Sequence, residues 1–285
     1  MPFRWSPALL LAESSPGVPQ ARPTRPPALG RQHDRSRSGA GTVTGVQPLL
    51  VLWDVDYTLA DTDGVGRHLY QIALAELYGL QMPRLIRSMA GRTDSSIALE
   101  VLTAAGITDP AAEIVRFQQV LGARAPDLEG MVHDRGKALP GAAEALAALA
   151  ALAKPANGTR LVQSVLTGNI PALARVKLGG LGLTEHLDLR IGAYGDVSEV
   201  RADLVPVARR NAAERYGADF AGRATVLIGD TPSDVEAAAV SGARSVAVAT
   251  GSFSAQQLRD AGADVVLADL TETEKVVSAV LDGAA

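Results

Sequence analysis

The sequence predicts an α/β fold, a doubly wound parallel sheet that carries a helical insertion near its start. Three observations carry that expectation. From Leu49 onward, short and nearly continuous apolar runs alternate with longer segments of helical periodicity, the pattern of repeated strand-helix-strand units. Between the first two runs lie roughly a hundred residues that read as helical, where a simple crossover needs only a few dozen. Several of the apolar runs end directly in Asp, Thr or Gly, as strands do when their carboxyl ends face a ligand crevice.

Taken in order, the candidate strands are 49–53, 160–166, 187–191, 224–228, 245–249 and 265–267, each short and apolar as buried parallel strands are. Candidate helices in the long insertion cover 65–78, 94–105 and 111–122. The excess length reads as an inserted helical domain over 63–138, with Leu139-Pro140-Gly141 marking the return to a core formed by 48–62 and 139–285. The Ala/Leu-rich stretch 142–153 is too short to span a bilayer, which takes about 20 apolar residues.

Residues 1–47 differ in kind. They hold seven of the sixteen prolines and six arginines against two acids, Glu13 and Asp34. Such a segment buries too little apolar surface to offset its ordering entropy, so it is expected to be a disordered tail. A basic arm for an anionic partner and an export signal are the competing readings; Pro7 and the short apolar run of the first twelve residues argue against export.

The whole chain has 285 residues, a formal net charge of −4 and 47% hydrophobic residues. That balance gives no reason to expect nucleic acid as a partner, and a cytoplasmic location is the default expectation. With no cysteine, any metal must sit on oxygen or histidine ligands, and His68, His133 and His186 show no ligand spacing.

Three strand ends hold residues suited to chemistry. The first run leads into Asp54-x-Asp56-x-Thr58, a carboxylate pair suited to the hard cation Mg²⁺. The run ending at Ile228 leads into Gly229-Asp230 and a helix bearing Asp234, with Thr231 or Ser233 as its cap and Pro232 in its first turn. The run ending at Leu166 leads into Thr167, Gly168 and Asn169, whose donors suit phosphate oxygens beside a helix N-terminus. A fourth element is Arg201, followed by the helical segment 202–216.

In order and spacing these four elements, spread over residues 49–270, resemble the four motifs of the haloacid dehalogenase-like (HAD) superfamily. The resemblance implies a Rossmann-like core with an α-helical cap of the phosphoglycolate phosphatase type. It implies that Asp54 attacks phosphorus to give an aspartyl-phosphate, while Asp56 protonates the leaving alcohol and then activates water. It implies Mg²⁺ on Asp54, the Asp56 carbonyl and Asp230, with Asp234 as a further ligand or a partner behind the ligands. Thr167, Gly168 and Asn169 are then expected at the phosphoryl group. Arg201 is the expected stabilising cation; Lys177 is its rival, read as lying on a solvated helical face.

Tyr57 stands where that family most often has glycine, and a ring there is expected to line the site entrance. In the insertion, Ala90-Gly-Arg-Thr-Asp94 runs into a helix; Arg92 is a candidate for a substrate carboxylate or second phosphate, against the alternative that Thr93 or Asp94 caps the helix and Arg92 faces solvent. Because Asp56 is present, phosphoryl transfer is expected rather than dehalogenation. Hydrolysis of a small phosphorylated metabolite is the leading expectation. A phosphosugar mutase of the β-phosphoglucomutase kind and a non-catalytic phosphate- or metal-binding module are the alternatives. Hinges are expected near 62–64 and 137–140.

Overall fold

The computed structural model describes residues 48–84, 86–152 and 161–282. Its centre is a five-stranded parallel sheet. In chain order the strands are β1 (Leu49–Trp53), β4 (Leu161–Val165), β5 (Thr225–Gly229), β6 (Arg244–Val248) and β7 (Val265–Leu267), arranged in space as β4-β1-β5-β6-β7. The chain therefore leaves β1 toward one edge to form β4 and crosses back to its other side to form β5. That reversal makes β1 the topological switch point, where helices diverge to opposite faces and leave a crevice at the strand's carboxyl end.

All five β1 residues are buried, because both faces of the sheet are covered. Leu49, Val51 and Trp53 pack with α5 (Ala142–Leu152) and α10 (Thr273–Leu281) on one face. Leu50 and Leu52, pointing the other way, pack with α7 (Leu204–Tyr216) and α8 (Pro232–Ser241). Burying such side chains contributes about 1.5–3 kcal/mol each. Loss of this alternation would strip both layers at once.

Beyond β1 the chain forms a two-stranded antiparallel ribbon, β2 (Ala60–Asp61) with β3 (Lys137–Ala138). Between its strands run α1 (Val65–Tyr78), α2 (Asp94–Ala104), α3 (Pro110–Arg124) and α4 (Glu129–Arg135). These helices share their own apolar cluster, which includes Leu69, Tyr70, Val101, Phe117 and Leu121 and reaches Ile170 and Leu173 at the start of α6 (Pro171–Gly180). Helical layer and sheet lie within one compact unit. Local signals start the helices where expected. Asp109 accepts from the Ala112 amide with Pro110 following it, and Thr231 forms a reciprocal capping box with Asp234 ahead of Pro232.

One expected strand is absent. Residues 187–191 form turns, with a single bridge from Leu166 to Ala193 in their place. The cause is Asp188. Its carboxylate binds Arg190, Arg215 and Tyr216, and its carbonyl accepts from Ile191, closing a turn that an extended strand could not make. The expected tail, 1–47, lies outside the described residues, as does Arg160. Among the described residues no helix is long and apolar enough to cross a membrane.

Candidate active site

The sheet register brings three strand ends side by side. Trp53 lies between Val165 and Ile228, the Asp54 amide donates to the Ile228 carbonyl at 2.8 Å, and the Leu166 amide donates to Trp53 at 2.9 Å. The residues that follow, Asp54, Thr167 and Asp230, consequently line one cavity of about 190 Å³. Asp56, Gly168, Asn169 and Arg201 line it too. The structure thus gathers Asp54, Asp56, Thr167, Gly168, Asn169, Arg201 and Asp230 around a single space.

At the cavity floor, Arg201 is buried between two carboxylates. Its Nη2 lies 2.9 Å from Asp54 Oδ1 and 2.6 Å from Asp234 Oδ1, and donates to the Leu166 carbonyl at 3.2 Å. Burial pushes the Asp54 carboxyl above the usual range, while Arg201 pulls it down. Asp54 Oδ2 has no protein partner among the described residues. Asp234 has one oxygen on Arg201 and the other on the Thr231 hydroxyl at 2.7 Å, so it stands behind Asp54 as an anchor for the guanidinium and for the start of α8.

Asp230 is 1% exposed, and neither carboxylate oxygen has a hydrogen-bond partner among the described residues. Burial, then the negative charges of Asp54 and Asp234, push its carboxyl far above the usual range. One ligand oxygen from each of Asp54, Asp230 and Asp234 falls within 4.8 Å of the others. Three buried carboxylates facing a single guanidinium leave uncompensated negative charge. A divalent cation with hard oxygen ligands fits that deficit and the orphaned Asp230 oxygens.

Lys177 is not on a solvated face. It is 3% exposed, and its Nζ donates to both oxygens of Asp56 at 2.6 and 2.7 Å and to Asn169 Oδ1 at 2.8 Å. Asn169 Nδ2 in turn donates to Asp56 Oδ2 and to the Thr167 hydroxyl, both at 2.8 Å. The helix stripe explains this burial. Leu173, Ala174, Lys177 and Leu178 are the buried residues of α6, spaced as one helical stripe, so position 177 falls on the inward face. Both candidate cations therefore reach the site, Arg201 on the Asp54 side and Lys177 on the Asp56 side.

The wall facing the sheet comes from the helical layer, stitched to the core at the start of α2. The Asp94 amide donates to Gly168 O at 2.7 Å and the Ser95 amide to Gly195 O at 2.8 Å. The buried Asp94 carboxylate accepts from the Tyr70 hydroxyl at 2.8 Å and from the Ile170 amide at 2.7 Å. A Cβ at Gly168 would come 1.9 Å from the Arg92 carbonyl oxygen, and one at Gly195 would come 1.8 Å from Gly168 O. Only glycine permits this approach at either position. Thr93 caps α2 by accepting from the Ser96 amide, as one expectation had it. Arg92 is not solvated as that alternative required: its Nη1 pairs with Glu100 at 2.8 Å and its Nη2 donates to Ser96 O at 3.0 Å.

Tyr57 lines the cavity, is 44% exposed and adopts φ 56°, a left-handed conformation that glycine adopts more easily. Thr250 donates to its carbonyl. Asp94 and Gly195 were missed as site-forming residues by sequence reasoning. Asp94 carried a signal, since a carboxylate at the start of a capped helix that runs on into the buried Ile97, Ala98 and Val101 has to find a donor when it is buried with them.

Residues 200–273 match the model of the HAD-hydrolase-like family. The chain is 28% identical over 245 residues to the "Probable phosphatase IndB" of Dickeya dadantii (strain 3937), an alignment covering 81% of this chain and 94% of that protein. In fold it is similar to a hydrolase from Pseudomonas syringae, with a TM-score of 0.56 at 20% identity over 81% of this chain and 98% of the other. A haloacid dehalogenase-like family protein from Streptococcus pneumoniae superimposes with a TM-score of 0.54 at 16% identity, over 82% and 99%. The family match covers Arg201, Asp230 and Asp234, the curated relative extends the likeness in sequence over most of the chain, and the two solved structures share its fold: the chain is similar to haloacid dehalogenase-like hydrolases.

Proposed function

We propose that this protein is a phosphatase that hydrolyses small phosphate monoesters through an aspartyl-phosphate on Asp54, with 63–138 acting as a cap over the site. The observation that carries the reading is the meeting of Asp54, Asp56, Thr167 and Asp230 at three adjacent strand ends around one cavity. IndB, the relative described as a probable phosphatase, supports it over most of the chain.

In the first step Asp54 Oδ2 attacks phosphorus, the bond from phosphorus to the ester oxygen breaks, and Asp56 gives its proton to the departing alkoxide. In the second, water attacks the phosphoryl group, Asp56 takes the water's proton, and the bond to Asp54 breaks to release inorganic phosphate. Proton transfer by a positioned carboxyl contributes about 10²–10⁴-fold. Lys177 and Asn169 hold Asp56 in place, and Arg201 holds Asp54. The Thr167 hydroxyl and the Asn169 amide lie beside the phosphoryl position as donors.

Asp54, Asp230 and the Asp56 carbonyl would hold Mg²⁺, with Asp234 behind them. When bound, Mg²⁺ supplies positive charge that offsets the build-up on the phosphoryl oxygens. The glycine-dependent contact between α2 and the loops at Gly168 and Gly195 supports a closed cap that excludes bulk water.

The test is inorganic phosphate release from a panel of small monoesters, with Mg²⁺ or with EDTA, for the wild type and Asp54→Asn. Release that needs both Mg²⁺ and Asp54 is the expected result. Substrate isomerisation without phosphate accumulation would point to a mutase instead, and no turnover of any ester would sink the enzymatic reading.

A further inference from the structure

We infer that Arg67, in the first turn of α1, selects monoesters that carry a second anionic group, either a carboxylate or another phosphate. This deepens the phosphatase reading and rests on it. Four cationic side chains line the cavity: Arg67, Arg92, Lys177 and Arg201. Three are committed to protein acceptors. Lys177 holds Asp56, Arg201 holds Asp54 and Asp234, and Arg92 is bound to Glu100 and Ser96. Arg67 has no hydrogen bond or ion pair among the described residues and is exposed at the cavity wall.

It lines the same cavity as Asp54 and Asp56. The preceding residue, Gly66, lies where a Cβ would stand 3.8 Å from Lys177 Nζ, the same nitrogen that holds Asp56. The α1 helix has no acidic residue in its first turn and no side-chain cap at Gly64, so the positive end of its dipole is not neutralised within the helix. The other carboxylate at that edge, Asp63, makes no ion pair with Arg67. Asp94 is held by Tyr70 and Ile170.

A guanidinium with free donors matches a carboxylate or a phosphate through paired hydrogen bonds. The cavity, about 190 Å³, is smaller than the ~300–1,000 Å³ of sites for drug-sized ligands. The second anion must therefore lie only a few bonds from the phosphoryl group.

The experiment measures kcat/KM on two matched pairs: 3-phosphoglycerate against glycerol 3-phosphate, and propane-1,3-diol bisphosphate against its monophosphate. Wild type, Arg67→Ala, Arg67→Lys and Arg92→Ala are compared, with p-nitrophenyl phosphate as a reference. The expected result is a wild-type preference for the charged member of at least one pair, carried mainly by KM. Arg67→Ala should lower that charged-to-uncharged ratio about tenfold or more, Arg67→Lys should restore part of it, and Arg92→Ala should keep it. The pair in which the ratio collapses identifies carboxylate or phosphate as the anion. A wild type without preference in either pair, or Arg67→Ala with an unchanged ratio, overturns the inference while phosphatase activity stands. A wild type that hydrolyses none of the esters, p-nitrophenyl phosphate included, overturns the phosphatase reading itself.

Discussion

Lys177 Nζ stands 2.6 and 2.7 Å from the two oxygens of Asp56, so the carboxylate proposed to move the proton is held at both ends by one buried ammonium. Replacing Lys177 by methionine keeps the length of the side chain and removes its three donors. The Asp56 side chain is 36% exposed and regains water, so the expected loss of stability is modest, about 1–2 kcal/mol. Turnover is expected to fall on the order of 10²-fold through kcat, with a changed pH profile. Urea unfolding and phosphate release measure the two effects, and unaltered kcat in a folded variant would show that Asp56 needs no such anchor.

A methyl group at Gly168 would come 1.9 Å from the Arg92 carbonyl oxygen, so Gly168→Ala should push the start of α2 away from the core. The hydrogen bond from the Asp94 amide to Gly168 O would then lengthen or break. Overpacking of this kind costs about 1–3 kcal/mol. Hydrogen exchange at the Asp94 and Ser95 amides should accelerate while the β1 amides stay protected. Equal protection at all of these sites would place the strain elsewhere.

Asp230 is a buried carboxylate whose oxygens lack hydrogen-bond donors among the described residues; such a group costs stability until a cation meets it. In EDTA, Asp230→Asn should therefore melt no lower than the wild type. Adding Mg²⁺ should stabilise the wild type, by about 2.7 kcal/mol at a hundredfold excess over its Kd, and leave the variant unmoved. A thermal shift series checks this without any substrate, and an equal Mg²⁺ response in both proteins would count against Asp230 as a ligand.

Burial holds the Asp94 carboxyl up to about 6, against 3.8 for an ordinary aspartate, despite the hydrogen bonds from Ile170 and Tyr70 that favour its charged form. Between those two values the folded protein keeps a proton that the unfolded chain has released. The contribution of Asp94 to stability is thus full below about pH 4, declines as pH rises through 6, and changes little above that. Asp94→Asn should remove this component. Urea midpoints of wild type and variant between about pH 4 and pH 7 should then differ in slope, and parallel curves would refute the assignment.

Much of the candidate site's floor was legible in the sequence because its residues directly follow apolar strands. A run such as Leu49–Trp53 states its own direction and burial, and whatever follows it must lie at the carboxyl edge of the sheet. Thr167 and Asp230 followed by the same logic. Less legible was whatever depends on neighbours distant in sequence. The burial of Lys177 needed the whole stripe of α6 to be weighed, and its charge drew the reading outward. Residues 187–191 looked like a strand by composition, yet Asp188 gathers Arg190, Arg215 and Tyr216 and turns the chain. Nothing local to Arg92 or Arg67 told which of the two was already engaged, because Glu100 and the cavity wall come from elsewhere in the fold.

The helical layer leaves and rejoins the core through one ribbon, with Asp61 opposite Lys137 and the two side chains 3.3 Å apart. Entry and exit are thus a single seam. The chain entropy of closing a segment at such a seam rises slowly, by about 0.6 kcal/mol for each doubling of a flexible loop, whereas the packing of Ile170 and Leu173 against the helical layer depends on that layer's own side chains. Grafting a foreign segment between Asp61 and Lys137 would therefore keep the strands in register and would have to supply anew the contacts that Asp94 and Ser95 make to Gly168 and Gly195, so the seam fixes where a segment enters while its footing on the core is a separate requirement.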